Sequence, residues 1–174
     1  MKAFNIEDVL FLDIETAPLD NALLESERVV CICVGKFGQD SNRYLNLRSF
    51  YNENEAKLLL EFNSFLLNFP KKTILCAHNG NTFNFPFLST RMSVNGLKSP
   101  DILSENVYLN GINQLDTDEF ITNNNFESSK LKQSSLNEPE DLVSYCFNDI
   151  VAIAQILLRF KNLSSVSTEN IYYV

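Results

Sequence analysis

The chain has 174 residues, 45% of them hydrophobic and 14 of them Phe, which suffices for a single domain with a sizeable core. A formal net charge of −8 excludes a broad basic surface of the kind that grips duplex nucleic acid non-specifically, although an acidic cluster that holds cations can recruit phosphate through them. No run of about 18 apolar residues and no charged start followed by an apolar stretch occurs, so neither a membrane span nor a signal peptide is expected, and the default is a cytoplasmic protein.

The first element is Val9-Leu10-Phe11-Leu12-Asp13-Ile14-Glu15-Thr16, an apolar strand ending in two carboxylates. Alternation puts Phe11, Asp13 and Glu15 on one face and Leu12 and Ile14 on the other. Pro18 then stops the strand, leaving the acids at its C-terminal edge, a position that suits a metal. An edge strand with a solvated end would carry the same short pattern. Two further strands, Arg28 to Phe37 and Tyr44 to Tyr51, complete an antiparallel meander of three. Asn54 caps a helix over Glu55 to Asn68, with Pro70 just past its end.

Thr73 to Ala77 is short and apolar throughout, as expected of a central strand covered on both faces, and it runs into the loop His78-Asn79-Gly80-Asn81-Thr82. A helix from about Phe83 to Val94 follows, with Asn84 in its first turn and Asn95-Gly96 at its close. Asn79 and Asn81 read as turn and capping residues as readily as site residues. Between Leu97 and Ser135 the periodicity fails, with Asn106, Asn110, Asn113, Asn123, Asn124 and Asn125 scattered among serines, so loop or weakly ordered structure is expected.

The last helix has Asn137 as N-cap, Pro139 early, Glu140 completing a capping box, and a helical pattern to about Phe160. Leu142, Tyr145, Cys146, Asp149, Ile153, Ile156 and Phe160 share a stripe, which puts Asp149 in the middle of the face to be buried, with Tyr145 one turn earlier on the same side. An acid at the stripe's margin, or one hydrogen-bonded in the core, is the alternative. The domain is drawn as 1–163. Residues 164–174 form a tail that packs on it, with a partner-binding peptide as the alternative. Cys31, Cys33, Cys76 and Cys146 lie in apolar segments without C-x-x-C spacing and read as reduced core residues. His78 is the only histidine, which excludes His-rich zinc sites, and no serine sits in a nucleophile elbow that would complete a Ser-His-Asp triad.

D-x-E on a first strand, N-x-x-x-F-N after a central strand and Y-x-x-x-D on a final helix resemble the three motifs of the DEDD exonuclease superfamily, on a ribonuclease-H-like fold. More narrowly, FLDIET, RVVCICVGKF, CAHNGNTFNFPFL, RMSVNGLKSP and YCFNDIVAIAQILLRF, in that order, are similar to 3′-5′ exonucleases related to the proofreading domain of family B DNA polymerases. The resemblance implies an α/β fold whose mixed sheet, the meander plus parallel strands, is flanked by helices. It implies that Asp13, Glu15 and Asp149 hold Mg²⁺ or Mn²⁺, that Tyr145 orients a water, as in the tyrosine subclass, and that a second ion bridges Asp13 and position 84. The implied substrate is the 3′ end of single-stranded nucleic acid, DNA favoured. Thr16, Asn79 and Phe83 are its implied contacts, although core packing is an alternative for Phe83 and Phe85.

Two departures stand out. The family's second motif ends in aspartate, whereas Asn84 keeps the size and loses the charge, which weakens the second ion and lowers activity. The span between the second and third motifs is also short, with Leu115-Asp116-Thr117 a remnant of the family's D-T segment. Beside a nuclease of reduced activity stands a reading of another class: a non-catalytic domain that binds a nucleic-acid end or a protein partner.

Overall fold

A computed structural model describes residues 4–18, 27–38, 44–103, 114–124, 139–165 and 171–173. The meander forms as expected: β1 (Val9–Pro18) pairs antiparallel with β2 (Glu27–Phe37), which pairs antiparallel with β3 (Leu45–Tyr51). Helix α1 (Glu55–Leu66) follows, its first turn capped by the Asn54 side chain, which accepts from the Lys57 N–H. Strand β4 (Ile74–Ala77) then joins β1 in parallel on the side away from β2. Helix α2 (Phe85–Val94), strand β5 (Gln114–Asp116), helix α3 (Thr117–Asn124), helix α4 (Pro139–Phe160) and strand β6 (Ile171–Tyr173) complete the order. The sheet reads β5-β4-β1-β2-β3-β6, so β1 is central, and the mixed six-stranded sheet flanked by helices is a ribonuclease-H-like α/β fold.

Alternation along β1 assigns the two cores. Leu10, Leu12 and Ile14 turn to a cluster built with Leu58, Leu59 and Phe62 of α1 and Leu88 and Met92 of α2. Phe11, Cys31 and Cys33 turn to the other face, where α4 lays down Cys146, Ile150, Ile153, Ala154, Leu157 and Leu158. By length and composition Asp141–Phe160 is apolar enough to cross a membrane, but its inner stripe is the core of this second layer. Gly35 lets α4 come so near: a Cβ there would stand 2.5 Å from Ile150 Cγ2. On the opposite face Glu55 clamps three elements, accepting from the Val29 N–H, from Arg91 Nε and Nη2 at 2.9 and 2.6 Å, and from Asn95 Nδ2.

Three expectations are corrected. The segment after Leu97 is not structureless among the described residues, because Asp101–Leu103 form a 3-10 turn, Gln114–Asp116 extend the sheet beside β4, and Thr117–Asn124 are helical. A three-residue strand is too short to display a period, and its identity comes from a distant partner. The helix expected from Phe83 starts at Phe85, after a π turn over Gly80–Asn84. The reason is local: Asn79 adopts φ 53°, and the Phe85 N–H reaches back five residues to the Gly80 carbonyl. Asp149 lies at the margin of the buried stripe of α4 rather than in its middle, half-buried, because Ile150 takes the inward position and one residue's step rotates its neighbour by about 100°. The N-cap expected at Asn137 and the asparagines at 106, 110, 113 and 125 lie outside the described residues.

Candidate active site

Along β1, β4 pairs with Val9–Phe11 alone and ends at Ala77, so β1 runs on past it with β2 on one side alone. Asp13 and Glu15 stand on this overhang, at the carboxyl edge of the parallel strands, where open α/β sheets gather ligands. The ladder shifts register between Glu15 and Thr16, where Val30 of β2 is left without a partner, so the bulge lies beside the end of the acidic pair. The π turn fills the space that β4 vacates. It is held close by Gly80, where a Cβ would meet the Phe85 ring at 2.7 Å and Ala77 Cβ at 2.9 Å, so only glycine fits.

This turn carries Asn84 inward, 3% exposed, so that its Nδ2 donates to Asp13 Oδ1 at 3.4 Å. From the other layer α4 brings Cys146, whose sulfur lies with a carboxylate oxygen of Asp13 and one of Glu15 within 4.8 Å of one another. Asp149, one turn further along α4, stands outside that tightest group but close enough for its charge to act on both acids.

The electrostatics follow from crowding. Burial first, and then Asp149, push Asp13 up to about 7, against hydrogen bonds from the Cys146 thiol, the Ile14 N–H and the Asn84 amide. Burial, then Asp13 and Asp149, push Glu15 up to about 8. Burial raises Asp149 to about 6, while His78 pulls it the other way. The Tyr145 hydroxyl is raised as well, by burial first and then by Asp149, Glu15 and Asp13, so it faces all three acids. Among the described residues no lysine or arginine pairs with Asp13, Glu15 or Asp149. Three crowded carboxylates without such a cation, all with hard oxygen donors, fit a divalent cation that would displace their protons.

Asp13, Glu15, Asn84, Tyr145 and Asp149 thus come together from β1, the π turn and α4. Thr16 instead donates to Glu27 Oε2 at 2.6 Å across the end of the β1–β2 ladder. Asn79 is exposed, and its backbone builds the turn, with its carbonyl also accepting from Thr82 Oγ1 at 3.3 Å. Phe83 is 40% exposed and stacks on Phe87 at 5.2 Å, whereas Phe85 is a core residue at 1%.

Sequence reasoning passed over other members of the site. Cys146 reads as an ordinary core residue yet touches Asp13. Asp116, at the end of β5, accepts from the Asn81 N–H through Oδ2 and from the Asp118 N–H through Oδ1, tying the π turn to α3. Asn81 Nδ2 adds a bond to Glu119 at 2.9 Å. His78 Nδ1 lies 3.2 Å from Thr117 Oγ1, which also reaches the Ala77 carbonyl, and this fixes the ring beside Asp149. The D-T pair at Asp116-Thr117 is the sequence signal that points to these contacts.

Fold and site together define a ribonuclease-H-like domain with a cluster of carboxylates at the carboxyl edge of its sheet. Residues 10–134 match the RNase_H superfamily, and the chain belongs to it. Among solved structures it is similar to the family B DNA polymerase of the hyperthermophilic archaeon Pyrobaculum calidifontis, with TM-score 0.54 and 19% identity over 87% of this chain. That likeness is one of fold, and the chain spans 24% of the polymerase. No curated protein matches the chain.

Proposed function

We propose that this chain is a metal-dependent 3′-5′ exonuclease that hydrolyses the terminal phosphodiester of single-stranded nucleic acid, DNA favoured, with activity lowered by Asn84. The observation that carries this reading is the convergence of Asp13, Glu15 and Asp149 at the carboxyl edge of the sheet, all three pushed up by burial, and Asp13 and Glu15 further by the neighbouring acids.

In this reading Asp13, Glu15 and Asp149 hold Mg²⁺ or Mn²⁺ through oxygen ligands. Bound there, a divalent cation polarises the phosphoryl oxygen and makes water a better nucleophile at neutral pH. Tyr145, with its raised hydroxyl still protonated, orients that water by hydrogen bonding beside Asp149. His78, just past the end of β4, steadies the charge of Asp149. Phe83, exposed on the rim and backed by Phe87, offers a flat apolar face to the terminal base. Thr16 and Asn79 flank the strand's path. Asn84 presents a donor to Asp13 where a second cation would need an acceptor, so charge on the leaving 3′ oxygen is less well stabilised. The four free buried thiols suit a reducing, cytoplasmic setting.

That same amide favours a second reading, a non-catalytic domain that keeps the fold and binds a nucleic-acid end or a protein partner. Incubating the chain with end-labelled single-stranded DNA and RNA, with Mn²⁺ or Mg²⁺, separates the two. Stepwise shortening from the 3′ end that disappears in Asp13→Asn is expected. Protection of both substrates at millimolar ion overturns the enzymatic reading.

A further inference from the structure

Beneath the acids lies a second group of ligands that the proposed reaction does not use. Cys31 and Cys33 sit two residues apart on β2, on the face that α4 covers, and Cys146 comes down on them from the helix. The three sulfurs lie within 4.8 Å of one another, with Cys31 Sγ and Cys33 Sγ 3.8 Å apart. Tetrahedral zinc with Zn–S bonds of about 2.3 Å separates its sulfurs by about 3.8 Å, so this pair already has the spacing of two zinc ligands. None of the three is in a disulfide, and all are fully buried.

A three-sulfur site needs a fourth donor, and the ladder supplies one. Asp13 is the cross-strand partner of Cys33, and the Cys146 thiol hydrogen-bonds to its carboxylate. Cys146 therefore belongs to two groups, one of thiols and one with the oxygens of Asp13 and Glu15. The half-buried acids also give the sulfurs their route to solvent.

We propose that Cys31, Cys33, Cys146 and Asp13 form a binding site for a thiophilic divalent cation of the Zn²⁺ class, distinct from the all-oxygen site on Asp13, Glu15 and Asp149. Soft sulfur ligands select such ions over Mg²⁺ and Mn²⁺, whereas carboxylates alone do the reverse. Binding displaces the thiol protons to solvent, so it strengthens with rising pH. Asp13 is common to both sites, so a soft cation in the lower one withdraws an oxygen from the upper. The site stands whether or not the chain cuts nucleic acid.

Cobalt(II) tests it, added to the full-length reduced chain in a non-thiol reductant with no nucleic acid present. One equivalent per chain should give intense near-ultraviolet thiolate-to-cobalt charge transfer and visible bands of tetrahedral strength, both erased by one equivalent of Zn²⁺. Cys33→Ser and Cys33→Ala should each weaken Co²⁺ binding at least tenfold while keeping the Mn²⁺-induced rise in melting temperature, which certifies the fold and the upper site. Asp13→Asn should weaken Co²⁺ tenfold yet keep the charge-transfer band, and Glu15→Gln should leave it unchanged. Weak bands of octahedral oxygen coordination alone, or undiminished binding in both Cys33 variants, would overturn the thiol site. Undiminished binding in Asp13→Asn would overturn the assignment of its fourth ligand.

Discussion

Replacing Asn84 by aspartate probes the site at the atom where the chain departs from the acidic pattern. The Asn84 amide now donates to Asp13 Oδ1 at 3.4 Å. An aspartate of nearly the same volume sets two carboxylates at that spacing, and two unit charges so close repel by about 5 kcal/mol at an effective dielectric of about 20. In a chelator at neutral pH the pair must either repel or hold one proton between them, the neutral amide donor is gone, and the variant is less stable than the parent by about 1–3 kcal/mol. For a chain of this length that lowers Tm by about 2–12 °C, taking about 2–4 °C per kcal/mol. Mn²⁺ at a hundredfold excess over its Kd restores about 2.7 kcal/mol and should do so at lower concentration than in the parent, because the added oxygen is a ligand. Hydrolysis should rise at least about tenfold, which needs only about 1.4 kcal/mol of further transition-state stabilisation.

The assays are differential scanning fluorimetry across a Mn²⁺ titration and single-turnover cleavage of labelled strands, with Asp13→Asn in the same background as the inactive control. An Asn84→Asp chain whose Tm responds to Mn²⁺ no more than the parent's refutes the inference that position 84 faces a cation. One that binds Mn²⁺ and still cuts neither DNA nor RNA shows that the missing charge is not the defect, and the non-catalytic reading then stands.

Two further outcomes follow from the same geometry. Asp13, Glu15 and Asp149 have folded-state values of about 7, 8 and 6, all above those of the unfolded chain, so between roughly pH 4 and 8 the folded state holds more protons. In chelator the stability therefore falls as pH rises through that window, and the stabilisation added by Mg²⁺ grows over the same range as ions replace protons; a Tm independent of pH between 5 and 8.5 in chelator would contradict the crowding. Gly35→Ala puts a methyl 2.5 Å from Ile150 Cγ2, so α4 must shift, at a cost of about 1–3 kcal/mol measured by urea unfolding, and Asp149 and Tyr145 move with it, weakening Mn²⁺ affinity; unchanged affinity with lowered stability would mean that the helix pivots elsewhere.

The acids of β1 were legible in the sequence because a strand's period is two and needs no partner to be read: once Leu10, Leu12 and Ile14 are core, Asp13 and Glu15 must share the other face. The helix gave less. Both Asp149 and Ile150 fit an apolar stripe drawn with a hundred-degree step, and only the sheet against which α4 packs decides that Ile150 enters the core while Asp149 is left at its rim. β5 was invisible for a related reason, since Gln114–Asp116 become a strand through pairing with Leu75–Ala77 about forty positions away.

Cys146 escaped because it satisfies two rules at once. Its position obeys the core pattern, so its burial needs no further explanation, yet the same burial presses its sulfur against Asp13 and within 4.8 Å of the sulfurs of Cys31 and Cys33. A site at the overhang of a central strand is lined from below by core residues and from above by polar ones. Residues in the lower layer are therefore chosen under packing constraints and recognised as chemical groups only when the other strand and helix are in place. That is why the carboxylates could be named from β1 and the last helix, while the thiols beneath them needed the register of Asp13 opposite Cys33 and the close approach of α4 over Gly35.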